Sequence, residues 1–184
     1  MDWYKRFLKA NGPAIKCRPV SDRDIQKYED TLPASYLTFW QKNGSCGYAK
    51  GLIWVIHPSD LLGEMREFLG KEYKKAIPFA RTVFGDIFFW EDTIVHHLDV
   101  QNGNILSGMH SIDAFWGGML VDKEYLNDVL KQKVFRLALL KLGEPNYDEC
   151  YAFVPALALG GSDNPETLQR IKLKEYLGIL ANLR

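Results

Sequence analysis

The stretch IPFARTVFGDIFFWEDTIVHHLDVQNGNIL, residues 77–106, decides the fold class. Its apolar runs are short, rich in β-branched and aromatic side chains, and separated by the turn dipeptides Gly85-Asp86, Glu91-Asp92 and Asn102-Gly103. Runs of that length bounded by turn chemistry read as strands. The spacing predicts strands over 77–83, 86–90, 94–100 and 104–106 of one antiparallel sheet. Asn102-Gly103 accepts the positive φ of a type I′ turn, so a tight hairpin is expected there. Upstream, the apolar run from Leu52 to Ile56 reads as a further, fully buried strand.

Helical signals lie on both sides of this sheet. Residues 2–10 place Trp3, Phe7 and Leu8 on one face, and Asn11-Gly12-Pro13 stops the run. Ser21 with Asp24 makes a capping box for a helix to about Asp30, with Ile25 and Tyr28 inward. Tyr36, Phe39 and Trp40 stack at i, i+3, i+4 in a helix over 34–42 that Gly44 ends. Further helices are expected from Pro58 to about Leu69, over 111–117, 123–130 and 134–142, followed by a strand over 151–159. Asn164, Pro165 and Glu166 then read as the start of a last helix carrying Leu168, Ile171, Tyr176, Leu180 and Leu183. Strands in the centre and helices at the ends argue for an α+β fold: a central antiparallel, or mixed, sheet with helices from both chain ends packed around it.

Composition narrows the function. The 184 residues suit one domain, with a core large enough to need no staples. Lys plus Arg and Asp plus Glu both number 23, which disfavours both a nucleic-acid binder and an acidic imitation of DNA. Charge is mixed through the first residues, and no apolar run approaches ~18 residues, so neither a signal peptide nor a membrane span is expected and a cytoplasmic location fits. Cys17, Cys46 and Cys150 are odd in number and widely spaced; free buried thiols in a reducing compartment are expected, rather than a disulfide framework or a zinc site.

No catalytic, cofactor or metal constellation emerges. His96 and His97 are neighbours on a strand and point to opposite faces, while His57 and His110 have no companion at helical spacing. Cys46, in Gly44-Ser45-Cys46-Gly47, lacks the flanks of known cysteine nucleophiles and reads as a small hydrophobe. Gly44, Gly47, Lys50 and Gly51 have the wrong order for a phosphate loop, since Lys50 precedes a glycine and leads into a strand. Asp86 is explained by turn chemistry. Glu91-Asp92 and Asp148-Glu149 are acidic pairs on turns, and Trp116, before Gly117-Gly118, is either core or an aromatic binding platform.

Three segments carry a family resemblance: LPASYLTFWQKNGSCGYAKGLIWVIHPSD (32–60), FGDIFFWED (84–92) and DECYAFVPALALGG (148–161). In this order they resemble the GAD-like family joined to the C-terminal domain of type VI secretion DNase-immunity proteins. The early Leu-Pro, Tyr, Phe and Asn-Gly pattern is also similar to the SUKH immunity superfamily. The resemblance implies a GAD-like region over about 1–110 continuous with an immunity-type region over about 111–184 in one domain. It implies an antidote that binds a cognate toxin, a nuclease, one to one, without catalysis, cofactor, membrane or direct nucleic-acid contact. A basic nuclease cleft would call for acids on the antidote, so Glu91, Asp92, Asp148 and Glu149, with Trp116 as an aromatic anchor, are the expected toxin-binding residues. The competing readings are a small enzyme using Cys46 or the paired carboxylates, and a SUKH-like regulatory module.

Overall fold

The structure is a computed structural model that describes residues 2–183. Helix α1 (Asp2–Asn11) leads to strand β1 (Ile15–Arg18), helices α2 (Asp22–Tyr28) and α3 (Ala34–Asn43), and strands β2 (Ser45–Tyr48) and β3 (Ile53–Val55). Helix α4 (Pro58–Phe68) precedes β4 (Ile77–Thr82), β5 (Ile87–Glu91), β6 (Ile94–Asp99) and β7 (Asn104–Ser107). Then come α5 (Ile112–Gly117), α6 (Gln132–Leu142), β8 (Glu149–Phe153), β9 (Leu168–Lys172) and α7 (Leu173–Ala181). β1 to β7 form one seven-stranded sheet in sequence order, every pair antiparallel, and β8 and β9 form a separate antiparallel pair. The fold is therefore α+β, as the central stretch predicts.

Alternation along the strands gives the sheet two apolar faces. One face carries Tyr48, Ile53, Val55, Ala80 and Phe88 against Trp3 and Phe7 of α1, Tyr36, Phe39 and Trp40 of α3, and Phe115 and Trp116 of α5. The other carries Trp54, Ile87, Phe89 and Leu98 against Leu61 and Met65 of α4 and Leu173, Tyr176 and Leu177 of α7. The first layer is an aromatic cluster: Trp116 lies 5.0 Å from Phe7, 5.7 Å from Phe39 and 6.2 Å from Trp3 between ring centroids. α1 approaches α5 so closely that a side-chain carbon on Gly117 would lie 2.7 Å from Trp3 Cβ.

Several expectations are corrected. Asn102-Gly103 lies in the hairpin that joins β6 to β7, as expected, but not in a type I′ turn. Asp92 and Thr93, at φ 47° and 64°, join β5 to β6 with Glu91 paired to Ile94, as a type I′ turn requires. At Asn102-Gly103 only the glycine has positive φ, because the Asp99 carboxylate accepts the backbone N–H groups of Gln101 (3.0 Å) and Asn102 (3.1 Å) and stabilises a longer loop. The expected helix starting at Pro165 is a single 3₁₀ turn, Pro165–Thr167, and Leu168–Lys172 is a strand. Pairing with β8 overrides a local cap signature there. β8 ends at Phe153 rather than residue 159, because Pro155 has no N–H to extend a ladder; its peptide bond is cis. Residues 125–129 form a π-helix where an α-helix was expected, and β1 and β2 are strands that no alternation announces.

The cysteine expectation also changes. Cys17 and Cys46 are disulfide-bonded across β1 and β2, while Cys150 is a free, buried thiol. Gly44 permits this approach: its φ is +78°, and any Cβ there would lie 2.2 Å from the Arg18 carbonyl oxygen. The turn after α3 thereby runs hard against β1.

Candidate functional site

The acidic residues expected at an interface are placed unequally. Glu91 is 5% exposed and accepts the Lys75 backbone N–H at 2.8 Å, so it holds a loop inside rather than facing a partner. Asp92 stands exposed at the tip of the β5–β6 turn. Asp148 is exposed but bound to Lys172 at 2.6 Å, which holds its carboxyl below the usual range. Glu149 is half-buried; it accepts the Asn146 N–H at 2.8 Å and lies 3.8 Å from Arg170. The two spots do not converge. Glu91-Asp92 lies beyond the Ile77–Trp90 pairing at one end of β4, whereas Glu149 is tied through its carbonyl to Arg81, toward the other.

Trp116 is fully buried in the aromatic layer. An interface anchor must offer its ring to the partner, so this tryptophan is core. Cys46 is also fully buried, and its sulfur is bonded to Cys17, leaving no thiol to act as a nucleophile. Burial pushes the remaining thiol, Cys150, up to about 12, so it is not activated either. Lys50 and Gly51 belong to a short 3₁₀ turn between β2 and β3. Asp86 closes the β4–β5 turn: its carboxylate accepts the Thr82 hydroxyl (3.1 Å) and the Val100 N–H (3.2 Å).

A polar cluster that sequence spacing did not reveal gathers where β1, α2, α4 and the segment before β8 meet. His57 precedes α4 and caps it, its Nδ1 accepting the Ser59 N–H at 3.2 Å, with the Ser59 hydroxyl 2.7 Å away. Its Nε2 lies 3.1 Å from Asp24, thirty-three positions earlier in the chain. Asp24 is held below its ordinary value first by the Ser21 hydroxyl and then by His57. The Tyr147 hydroxyl donates to Asp60 at 2.7 Å and accepts the His57 N–H at 3.0 Å, and the Arg18 guanidinium sits 4.0 Å above its ring. Behind it Arg81 is fully buried and donates to the carbonyls of Thr82 (2.9 Å), Tyr147 (2.6 Å) and Glu149 (3.1 Å). Burial lowers its guanidinium to about 10. Serine, imidazole and carboxylate occur in a row here. Yet Nδ1 faces a backbone N–H at the start of α4, and the arrangement fastens α2, α4 and the β8 entry to one another. The one local signal was a histidine directly before Pro-Ser-Asp, a helix-capping position.

Among the described residues, no group of three or more His, Cys, Asp or Glu side chains is placed to hold a metal ion. No helix among them is long and apolar enough to cross a membrane.

Sheet order, helical layers and the separate β8–β9 pair define an α+β protein without a converged catalytic constellation among the groups described above. Residues 2–103 match the GAD-like domain model, and residues 111–184 match the model of the type VI secretion immunity protein Tdi1, C-terminal. The chain belongs to the GAD-like family and carries the C-terminal region of type VI secretion immunity proteins. The crystal structure of Atu4351 from Agrobacterium tumefaciens superposes with a TM-score of 0.77 at 17% identity, over 97% of this chain and 88% of that one, a likeness of fold. No curated protein matches the chain.

Proposed function

We propose that the protein is an immunity protein that neutralises a type VI secretion toxin, a DNase, by forming a one-to-one complex in the cytoplasm. The observation that carries this reading is the match of residues 111–184 to the immunity-protein region, directly after the GAD-like region. The two regions are in contact: α1 packs on α5 and the Tyr151 N–H donates to the Val83 carbonyl at 2.9 Å, so each covers apolar surface of the other. The competing enzymatic reading loses its named groups, because Cys46 is bonded to Cys17 and the acidic pairs lie apart.

Immunity must hold against very little free toxin, and nuclease–immunity pairs reach dissociation constants of roughly 10⁻¹³ M. Of the acids expected at the interface, Asp92 is the one most freely presented, and Asp148 and Glu149 contribute with Lys172 and Arg170 beside them. The experiment is co-expression with the product of the adjacent toxin gene, affinity capture, and measurement of protection against that toxin. Capture of the toxin at one-to-one stoichiometry, with protection, is the expected result. Failure of the purified pair to associate refutes the reading. Charge reversal at Asp92 and Asp148, measured at two salt concentrations, then tests whether those acids steer association.

A further inference from the structure

A cavity of about 270 Å³ opens beside β7, the last strand of the seven-stranded sheet. Its walls bring together Asp86, His97 and Asp99 from the first region and Asp128 and Val129 from the second, with Leu106 on the rim. The one basic residue in the lining, Lys131, is paired with Asp163, so the three carboxylates are left in excess. His97 is 5% exposed, and its Nε2 has no hydrogen-bond partner; the Asp86 carboxylate stands 3.8 Å away, outside hydrogen-bonding range. Its Nδ1 lies 3.4 Å from the Tyr125 hydroxyl. A buried ring nitrogen without a hydrogen-bond partner is a costly feature in a finished core, and a polar group arriving from outside would satisfy it.

Other features point the same way. Asp128 and Val129 sit on the π-helix Tyr125–Val129, a rare geometry that occurs frequently at functional sites. Leu106 is 52% exposed, an apolar side chain at the mouth of an acidic cavity. The acids do not converge as metal ligands do. An apolar rim above spread carboxylates suits a longer cation, whose methylene stem covers Leu106 and Val129 while its charged head goes inward.

We infer that this cavity is the socket for a lysine or arginine side chain of the toxin. The inference rests on the immunity reading. A DNase must hold a polyanion, and its substrate cleft is therefore lined with lysine and arginine. A socket that takes one of these side chains removes a phosphate contact and anchors the complex at once. Both regions of the chain contribute to it: the walls come from residues 84–106 and 128–131.

The test uses the full chain and the catalytically inactive toxin from the adjacent gene. Asp128→Lys is exposed on the π-helix, and its melting temperature is checked against the parent; Leu106→Glu is a second, surface variant. Glu67→Lys, exposed on α4, is the control. Asp128→Lys should weaken binding by roughly 30-fold or more, as for a buried charge pair with one partner removed, and more steeply at low salt. Leu106→Glu, which removes the apolar rim that the cation's stem covers, should weaken binding several-fold at physiological salt; unchanged or tighter affinity there overturns the socket. Unchanged affinity of Asp128→Lys, with the parent binding normally, overturns the socket and leaves the immunity reading standing. Failure of the parent to bind removes both.

Discussion

The disulfide gives the sharpest quantitative test. Cys17 and Cys46 are separated by 29 positions, and the loop they close contains α2 and α3 with the buried Tyr36, Phe39 and Trp40. Cross-linking a loop of that length removes about 12 cal/mol/K of chain entropy from the unfolded state, or ~3.6 kcal/mol at 25 °C. Cys17→Ser is the clean perturbation, because residue 17 is exposed and the substitution itself disturbs little packing. At the other end, Cys46 is fully buried, and a serine there would add the penalty of burying a hydroxyl. With a urea slope of about 2–3 kcal/mol per M, the unfolding midpoint of Cys17→Ser should fall by roughly 1.2–1.8 M. The assay is equilibrium urea unfolding followed by tryptophan fluorescence, with and without a thiol reductant. Reduced parent protein and Cys17→Ser should coincide, and reductant should leave the variant unmoved. Identical midpoints for oxidised parent and variant would refute the loop-closure reasoning. Neither form should lose protection at a temperature where both stay folded, because Cys46 carries no chemistry in this reading; Cys46→Ala tests that directly.

Three further outcomes are expected. Trp116→Ala should cost about 3–5 kcal/mol by leaving a cavity among Trp3, Phe7 and Phe39, measured by urea unfolding; a loss below 1 kcal/mol would mean that the ring is not core. Thr93 is β-branched at φ 64°, so Thr93→Gly should relieve strain and gain roughly 0.5–1 kcal/mol despite glycine's greater unfolded freedom; a lower melting temperature would contradict this. Asp24 has its pKa lowered below 3.8 in the folded state, first by Ser21 and then by His57, so its contribution is present at neutral pH and lost as pH falls through the folded value. Asp24→Asn should therefore be less stable than the parent at pH 6, with the gap closing at pH 3; a gap independent of pH would show that the carboxylate charge is not what matters.

The meander from residue 77 to 107 was legible because its signals are local. Short apolar runs and turn dipeptides describe β4 to β7 without reference to the rest of the chain. The capping box at Ser21 and Asp24 and the stripe of Tyr36, Phe39 and Trp40 were legible for the same reason: each lies within one or two turns of helix. The family resemblance also rests on local strings. Tertiary structure decided the remainder. β1 and β2 are too short to show a period and become strands only by pairing with each other and with β3. β9 has apolar residues at helical spacing behind a helix cap, and its partner β8 makes it extended. Cys17 and Cys46 had no spacing that marks a bond; the turn at Gly44 brings them together. Trp116 looked equally suited to core and surface until α1 and α5 closed over it. His97 was read as one of two unrelated histidines, and Asp128 drew no notice. They share a cavity because a π-helix from the last third of the chain lies against the β6–β7 hairpin, and adjacency between distant segments leaves no trace in residue order.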